Sequence, residues 1–214
     1  MADWRFKPQA EEILRDKAFG EETGLKIGIC GAQGVGKSTL ARLLAEQLGL
    51  PLIGEQAREV VKLLNLGRPR ELRKRPQMGL TYQMLCLLAQ IEAEEKHERG
   101  FVADRTFIDN AVYFNKWHAH QVSSCFCRLF YEMCRQQVRK YDLLVYVPPE
   151  IPLEDDQFRS VNADYQAEID FLVRLFLKGM PVREWMEVTG TVEERVRRVL
   201  NWAEAFAPAE PPAW

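Results

Sequence analysis

Residues 25–49 read LKIGICGAQGVGKSTLARLLAEQLG. The first six form a short apolar run with alternating β-branched residues, and beyond the glycines Leu40, Leu43, Leu44 and Leu48 recur at helical spacing. The glycine loop therefore joins a strand to a helix. Its Gly31-x4-Gly36-Lys37-Ser38 spacing fits a phosphate-binding loop, in which glycines let backbone N–H groups converge on phosphate oxygens at the positive end of the next helix. The expected cradle is Gly31, Ala32, Gln33, Gly34, Val35, Gly36, Lys37, Ser38 and Thr39. Lys37 is expected at the β- and γ-phosphates and Ser38 on Mg²⁺.

The rest of the chain can support such a site. At 214 residues and 47% hydrophobic content, one α/β domain over residues 1–207 with a sizeable core is expected. The formal net charge of −2 gives no overall attraction to nucleic acid or to an acidic membrane. No run reaches transmembrane length, and MADWRFKPQAEEILRD at the start lacks a signal-peptide core. Five cysteines without a disulfide-like framework agree with a reducing compartment, so a cytoplasmic location is expected.

Outward from the loop, residues 9–19 suggest a short leading helix, LPLIG (50–54) a second strand, and EQAREVVKLLNLG a helix ending near Gly67. The basic, proline-bounded RPRELRKRP (68–76) separates that from a long helix over about 77–99. FVAD (101–104), DLLVYV (142–147) and VREWMEV (182–188) read as the third, fourth and fifth strands, with helices across 107–140, and residues 208–214 as a disordered tail. Short apolar strands alternating with helices predict a doubly wound parallel sheet.

Ligands in such sheets bind beyond the carboxyl ends of the strands, and three of those ends carry charge or caps. Glu55 and Arg58 follow the second strand, three residues apart and so on one helix face. Asp104 and Arg105 follow the third, and Thr191 with Glu194 makes a capping box after the fifth. A water-activating site would carry a second acid after Asp104. Arg105 cannot act as a base, but it can hold a phosphate or a substrate hydroxyl. Asp104 suits either Mg²⁺ through water or the proton of an acceptor alcohol, against a plain strand-end salt bridge. Glu55 reads as an acceptor-side base or as a first-turn acid complementing the helix dipole. Arg58 positions substrate or pairs with Glu55, and Asp109 is the helix-capping partner of Thr106.

GICGAQGVGKST, GEQAREVV, VADRTFIDNAVYF and EDDQFRS, in that order, resemble P-loop proteins similar to the ribosylnicotinamide kinase domain of NAD salvage proteins. Deoxynucleoside and thymidylate kinases are more distant relatives sharing the acid-arginine pair. The resemblance covers about residues 25–205. It implies a P-loop NTPase fold with strand order 2-3-1-4-5 and a lid over about residues 148–171, PPEIPLEDDQFRSVNADYQAEIDF, whose Arg159 closes on the transferring phosphoryl group. It also implies that Gln83 can read a base, against the plainer reading of a solvated residue on an amphipathic helix. Asp155 and Asp156 hold the lid by ion pairs or contact acceptor or metal. The family includes ATPases and GTP-binding members. Here Asn115-Lys116 runs into Trp117-His118 rather than a guanine-reading Asn-Lys-x-Asp, which favours ATP.

His118, His120, Cys125 and Cys127 offer four metal ligands, but i, i+2 pairs point to different sides of a helix. Phe126, Leu129, Phe130 and Met133 continue an apolar pattern, so core packing is the better account of these cysteines. The expected function is transfer of the γ-phosphoryl group of ATP, with Mg²⁺, to a nucleoside-like hydroxyl compound. Lys37, Glu55, Asp104, Arg105 and Arg159 act in transfer, and Glu55, Arg58, Gln83 and Arg105 hold the acceptor. The runner-up is a nucleotide-hydrolysing regulatory module that binds a protein or an acidic lipid. A nucleic-acid end kinase using Arg68, Arg70, Arg73, Lys74 and Arg75 comes third.

Overall fold

The computed structural model describes residues 24–66, 72, 75–150 and 162–206. The apolar run before the glycine loop is strand β1 (Lys26–Cys30), buried from Ile27 onward. Helix α1 (Lys37–Leu48) follows the loop and buries Leu40, Ala41, Leu44 and Ala45. Gly49, left-handed at φ 65°, ends it by donating to Glu46 O while Leu50 N donates to Ala45 O. Next come β2 (Leu52–Ile53), α2 (Gln56–Leu63), α3 (Pro76–Glu95) and β3 (Phe101–Asp104). They are followed by α4 (Phe107–Trp117), α5 (Ser124–Val138), β4 (Leu143–Tyr146), α6 (Ala163–Gly179), β5 (Trp185–Glu187) and α7 (Val192–Phe206).

All strand pairs are parallel, in the order β2-β3-β1-β4-β5 that the resemblance implied. The central strands are continuous apolar runs, as sheets covered on both faces require. Gly28 is needed in β1, since a Cβ there would lie 2.7 Å from Thr106 Cγ2 and 2.8 Å from Leu144 Cδ2. The edges are short, two residues in β2 and three in β5. Register pairs Ile29 with Asp104 and Cys30 with Tyr146, so the ends of β3 and β4 flank the start of the glycine loop. The order reverses there, where such sheets place their ligands.

Three expectations shift. The second strand is shorter than 50–54 because Leu50 N is used to cap α1 and Pro51 has no N–H to give a ladder. The helix over EQAREVV stops at Leu63 because Asn65, at φ 50°, ends it with Leu66 N on Val61 O and Asn65 N on Lys62 O. Packing does not account for every position around the cysteines, since Cys125 and Leu129 are exposed. Cys134 and Phe130 occupy the buried face of α5 instead, with Phe130 stacked 3.9 Å from Phe114. The leading helix at 9–19, the tail, Arg68, Arg70, Arg73, Lys74, Asp155, Asp156 and Arg159 lie outside the described residues. No described helix is long and apolar enough to cross a membrane.

Candidate functional site

The loop between β1 and α1 turns on Gly31, Gly34 and Gly36, at φ 147°, 76° and 88°. A Cβ on Gly31 would come 2.5 Å from Val147 O, so the loop starts hard against the exit of β4. Lys37, 3% exposed, donates Nζ to Gly31 O at 2.8 Å and to Ala32 O at 2.5 Å. Ser38 and Thr39 are exposed on the first turn of α1. The cradle residues thus meet on a single loop whose lysine is folded across it.

Two further loop carbonyls are held from a distance. Gln33 O accepts from Gln166 Nε2 at 2.7 Å, and Val35 O from Arg195 Nη1 at 3.0 Å. The Gln33 side-chain amide is itself buried, with no hydrogen-bond partner for either polar atom among the described residues. Arg195 also donates Nη2 to Glu150 Oε2 at 2.9 Å, and Glu150 accepts from Gly190 N at 3.0 Å.

Beside the loop stands a cluster of acids and arginines. Glu55 precedes α2 but gives no side-chain cap; its Oε2 accepts from Arg58 Nε at 3.0 Å and its Oε1 from Arg105 Nε at 2.5 Å. A carboxylate so engaged is more than a helix-dipole complement. Arg105 has φ 88°, an uncommon and costly conformation for a residue with a side chain. Its N–H donates to Ile29 O at 3.0 Å, and its guanidinium lies 5.1 Å over the Tyr113 ring, with Nη1 3.4 Å from Asp109 Oδ1. Burial works against its charge, but Glu55, Tyr113, Asp109 and Asp104 outweigh that and hold it protonated.

Asp109 is the capping partner expected for Thr106. Its Oδ2 accepts from Thr106 N at 2.9 Å and from Thr106 Oγ1 at 3.0 Å, while Thr106 Oγ1 accepts from Ile108 N at 3.2 Å. Burial raises its pKa; Arg105, Lys37 and Thr106 oppose that without cancelling it. The influence of Lys37 on Asp109 puts the loop and the cluster within one electrostatic neighbourhood. Asp104, at the end of β3, is 6% exposed, and its side chain has no hydrogen bond or ion pair among the described residues beyond its electrostatic influence on Arg105. Its carboxylate and the exposed Ser38 hydroxyl are both oxygen donors, the chemistry that Mg²⁺ prefers.

Gln83 is neither solvated nor open. It is buried and donates Nε2 to Asn110 O at 3.3 Å and to Asn110 Oδ1 at 3.4 Å, tying α3 to α4, while Tyr82 donates to Ala57 O and ties α3 to α2. Arg58 stays at the rim, its side chain 44% exposed. The capping box after β5 forms, with Thr191 N on Glu194 Oε2 at 2.8 Å and Glu194 N on Thr191 Oγ1 at 3.3 Å. Among the described residues no group of three or more His, Cys, Asp or Glu side chains could hold a metal; Cys127 instead donates Sγ to Ala119 O.

Sequence reasoning missed Gln166, Glu150 and Arg195. Arg195 left a signal: it shares the buried stripe of α7 with Val196, Val199 and Ala203, where an arginine is out of place unless it is paired.

The chain is 26% identical over 198 residues to deoxyadenosine kinase of Dictyostelium discoideum, covering 87% of this chain and 76% of that protein. Deoxyadenosine kinase from M. mycoides with bound dCTP superposes at TM-score 0.60, with 16% identity over 85% of this chain and 100% of that one. NadR in complex with NR gives 0.63, at 16% identity over 90% of this chain and 54% of NadR, so the chain spans about half of that protein. Shikimate kinase from Acinetobacter baumannii in complex with shikimate gives 0.56, at 17% identity over 87% of this chain and 96% of that one. At these identities the structures show the fold alone, that of a P-loop kinase. The model of the AAA domain family matches residues 26–195, from the first strand to Arg195, and the chain belongs to that family.

Proposed function

We propose that this protein transfers the γ-phosphoryl group of ATP to a hydroxyl of a nucleoside or a related small compound. The observation that carries the reading is the end of β3: Asp104 lies in register with Ile29, and the next residue is an arginine clamped to Glu55 rather than a second acid. A hydrolase needs a base for water there. A clamped arginine is suited to an anion or a hydroxyl instead. The likeness to a curated deoxyadenosine kinase supports a nucleoside as the acceptor.

In this reading the loop amides and Lys37 hold the phosphates, and Ser38 with Asp104 would hold Mg²⁺. Bound there, the metal would supply positive charge that offsets the charge of the phosphates. Glu55 faces the acceptor and exchanges part of its arginine pairing for the acceptor hydroxyl, whose proton it takes. Arg105 and Arg58 orient the acceptor. For Gln83 to read a base it would have to give up its hydrogen bonds to Asn110. Arg159 of the 148–171 segment is assigned to the transferring phosphoryl group, and a single domain over residues 1–207 in the cytoplasm completes the reading.

Turnover of Mg·ATP alone, compared with turnover in the presence of a nucleoside panel, tests it. Phosphorylated nucleoside and a low rate without acceptor are expected, since closing a site around its acceptor excludes water. Brisk hydrolysis that no nucleoside changes would instead favour a regulatory ATPase.

A further inference from the structure

The carbonyls of the phosphate loop can be followed one by one. Gly31 O and Ala32 O accept from Lys37 Nζ, and Gly36 O accepts from Leu40 N at 3.1 Å as α1 begins. Gln33 O and Val35 O accept from Gln166 and Arg195, side chains 133 and 160 residues away along the chain. Both donors are buried, at 7% and 1% exposure.

A trans peptide holds its C=O and N–H on opposite sides of one plane. Fixing Gln33 O therefore fixes the direction of the Gly34 N–H, and fixing Val35 O fixes that of the Gly36 N–H. Both glycines have positive φ, where a backbone without side chains is otherwise freest to rotate. A cationic donor on a carbonyl does more than hold it, because hydrogen bonds in a chain polarise one another and the amide N–H beyond becomes a stronger donor.

From this geometry we infer that Arg195 and Gln166 are positioning residues of the nucleotide site, Arg195 aiming and polarising the Gly36 N–H and Gln166 aiming the Gly34 N–H toward bound phosphate. The inference rests on the loop being a nucleotide-phosphate site and is independent of what the acceptor is. Packing alone does not account for Arg195. It interrupts an apolar stripe, its Nε is buried without a hydrogen-bond partner among the described residues, and its counter-charge Glu150 is 38% exposed at the side chain. An apolar side chain of similar length at such a site is often neutral or stabilising, so a guanidinium there points to work done for the loop.

The test is a titration of the full chain with Mg·ADP, followed by ¹H–¹⁵N spectra and calorimetry, for the natural protein, Arg195→Met and Gln166→Leu. In the natural protein both the Gly34 and Gly36 amides are expected to move downfield as ADP binds. Arg195→Met should lose the Gly36 response and keep that of Gly34, with ADP affinity down about tenfold, the scale of one charged hydrogen bond. Gln166→Leu should show the converse pattern with a smaller loss of affinity. Should Arg195→Met fail to fold, Gln166→Leu decides alone: a persisting Gly34 response overturns the inference. So does an unchanged Gly36 response in folded Arg195→Met, or loss of both responses together in either variant, which is what a general loosening would give. The kinase reading fails differently, through acceptor-independent turnover of the natural protein, and that outcome leaves the two glycine responses intact.

Discussion

The glycine loop and the acid-arginine cluster lie at the same end of the sheet but are built in opposite ways. The loop takes the groups proposed for the phosphates from nine consecutive residues, 31–39, most of them backbone amides. The cluster takes Glu55 from the start of α2, Arg105 from the end of β3 and Asp109 from the first turn of α4, with Glu55 and Arg105 50 positions apart. The first is fixed by local φ and ψ, the second by the sheet that brings the ends of β2 and β3 together. The two halves should therefore fail separately, the loop losing nucleotide and the cluster losing acceptor chemistry.

Lys37→Ala should give the largest effect. Removing a fixed charge from the place where charge shifts in transfer is expected to cut turnover on the order of 10³-fold, with the midpoint of thermal unfolding little changed. Near-native turnover in this variant would break the donor half of the comparison. Glu55→Gln should lower kcat by about 10²-fold or more while ATP affinity, measured by titration, holds. Asp104→Asn should differ in kind by raising the Mg²⁺ concentration needed for half-maximal rate. Identical, purely kcat defects in the two would erase the division between base and metal-holding acid.

Behind the cluster, Gln90 donates to Arg105 O at 3.4 Å and to Glu94 Oε1 at 2.7 Å, and Tyr141 donates to the same oxygen at 2.6 Å. Burial pushes the Glu94 carboxyl up from 4.5 to about 7, against the hydrogen bonds of Gln90 and Tyr141 and the charges of Lys140 and Lys26. The folded chain holds this proton more tightly than the unfolded chain does. The contribution is full below about pH 4.5 and is lost as pH rises through 7. At most ~3 kcal/mol is at stake. Denaturant melts between pH 5 and 8 should show the decline in the natural protein and a flatter profile in Glu94→Gln. An equal slope in both would detach Glu94 from it.

The smallest effect expected is on the cap that presents Arg105. Thr106→Ala removes the capping oxygen of α4 and one donor to Asp109, and should cost ~1 kcal/mol in chemical denaturation, with a greater loss of acceptor turnover than of ATP affinity.

The same contrast explains what could be read from the chain. The loop, β1, β3 and the Thr106–Asp109 and Thr191–Glu194 caps were legible because each depends on neighbours a few residues apart. Glu55 and Arg105 were legible as separate charges at strand ends, while their contact was not, because it depends on how β2 lies beside β3. The α2 stop at Asn65 was missed because glycine is the commoner left-handed terminator and Gly67 stood two residues beyond. The burial of Gln83 was not legible, either in its reading as an acceptor residue or in the plainer solvated one, because its partner, Asn110, belongs to another helix. Gln166 was the least visible, since a glutamine on an amphipathic helix looks solvent-facing until the loop it serves is in place, whereas Arg195 showed only as a charge within an apolar stripe, with its partner unreadable.

The short outer strands have a consequence for how this protein behaves in a crowded solution. Unpaired backbone at the rim of a sheet is a template on which other chains can add, and long flat rims invite fibrils and mispaired aggregates. Here Leu52–Ile53 closes one side and Trp185–Glu187 the other, while the longer, more apolar runs lie between them with both ladders filled. The segments richest in β-forming residues are thus withheld from foreign strands for as long as the fold stays closed. They become adhesive only on unfolding, so loss of soluble protein on heating should follow exposure of the central strands rather than growth from either rim.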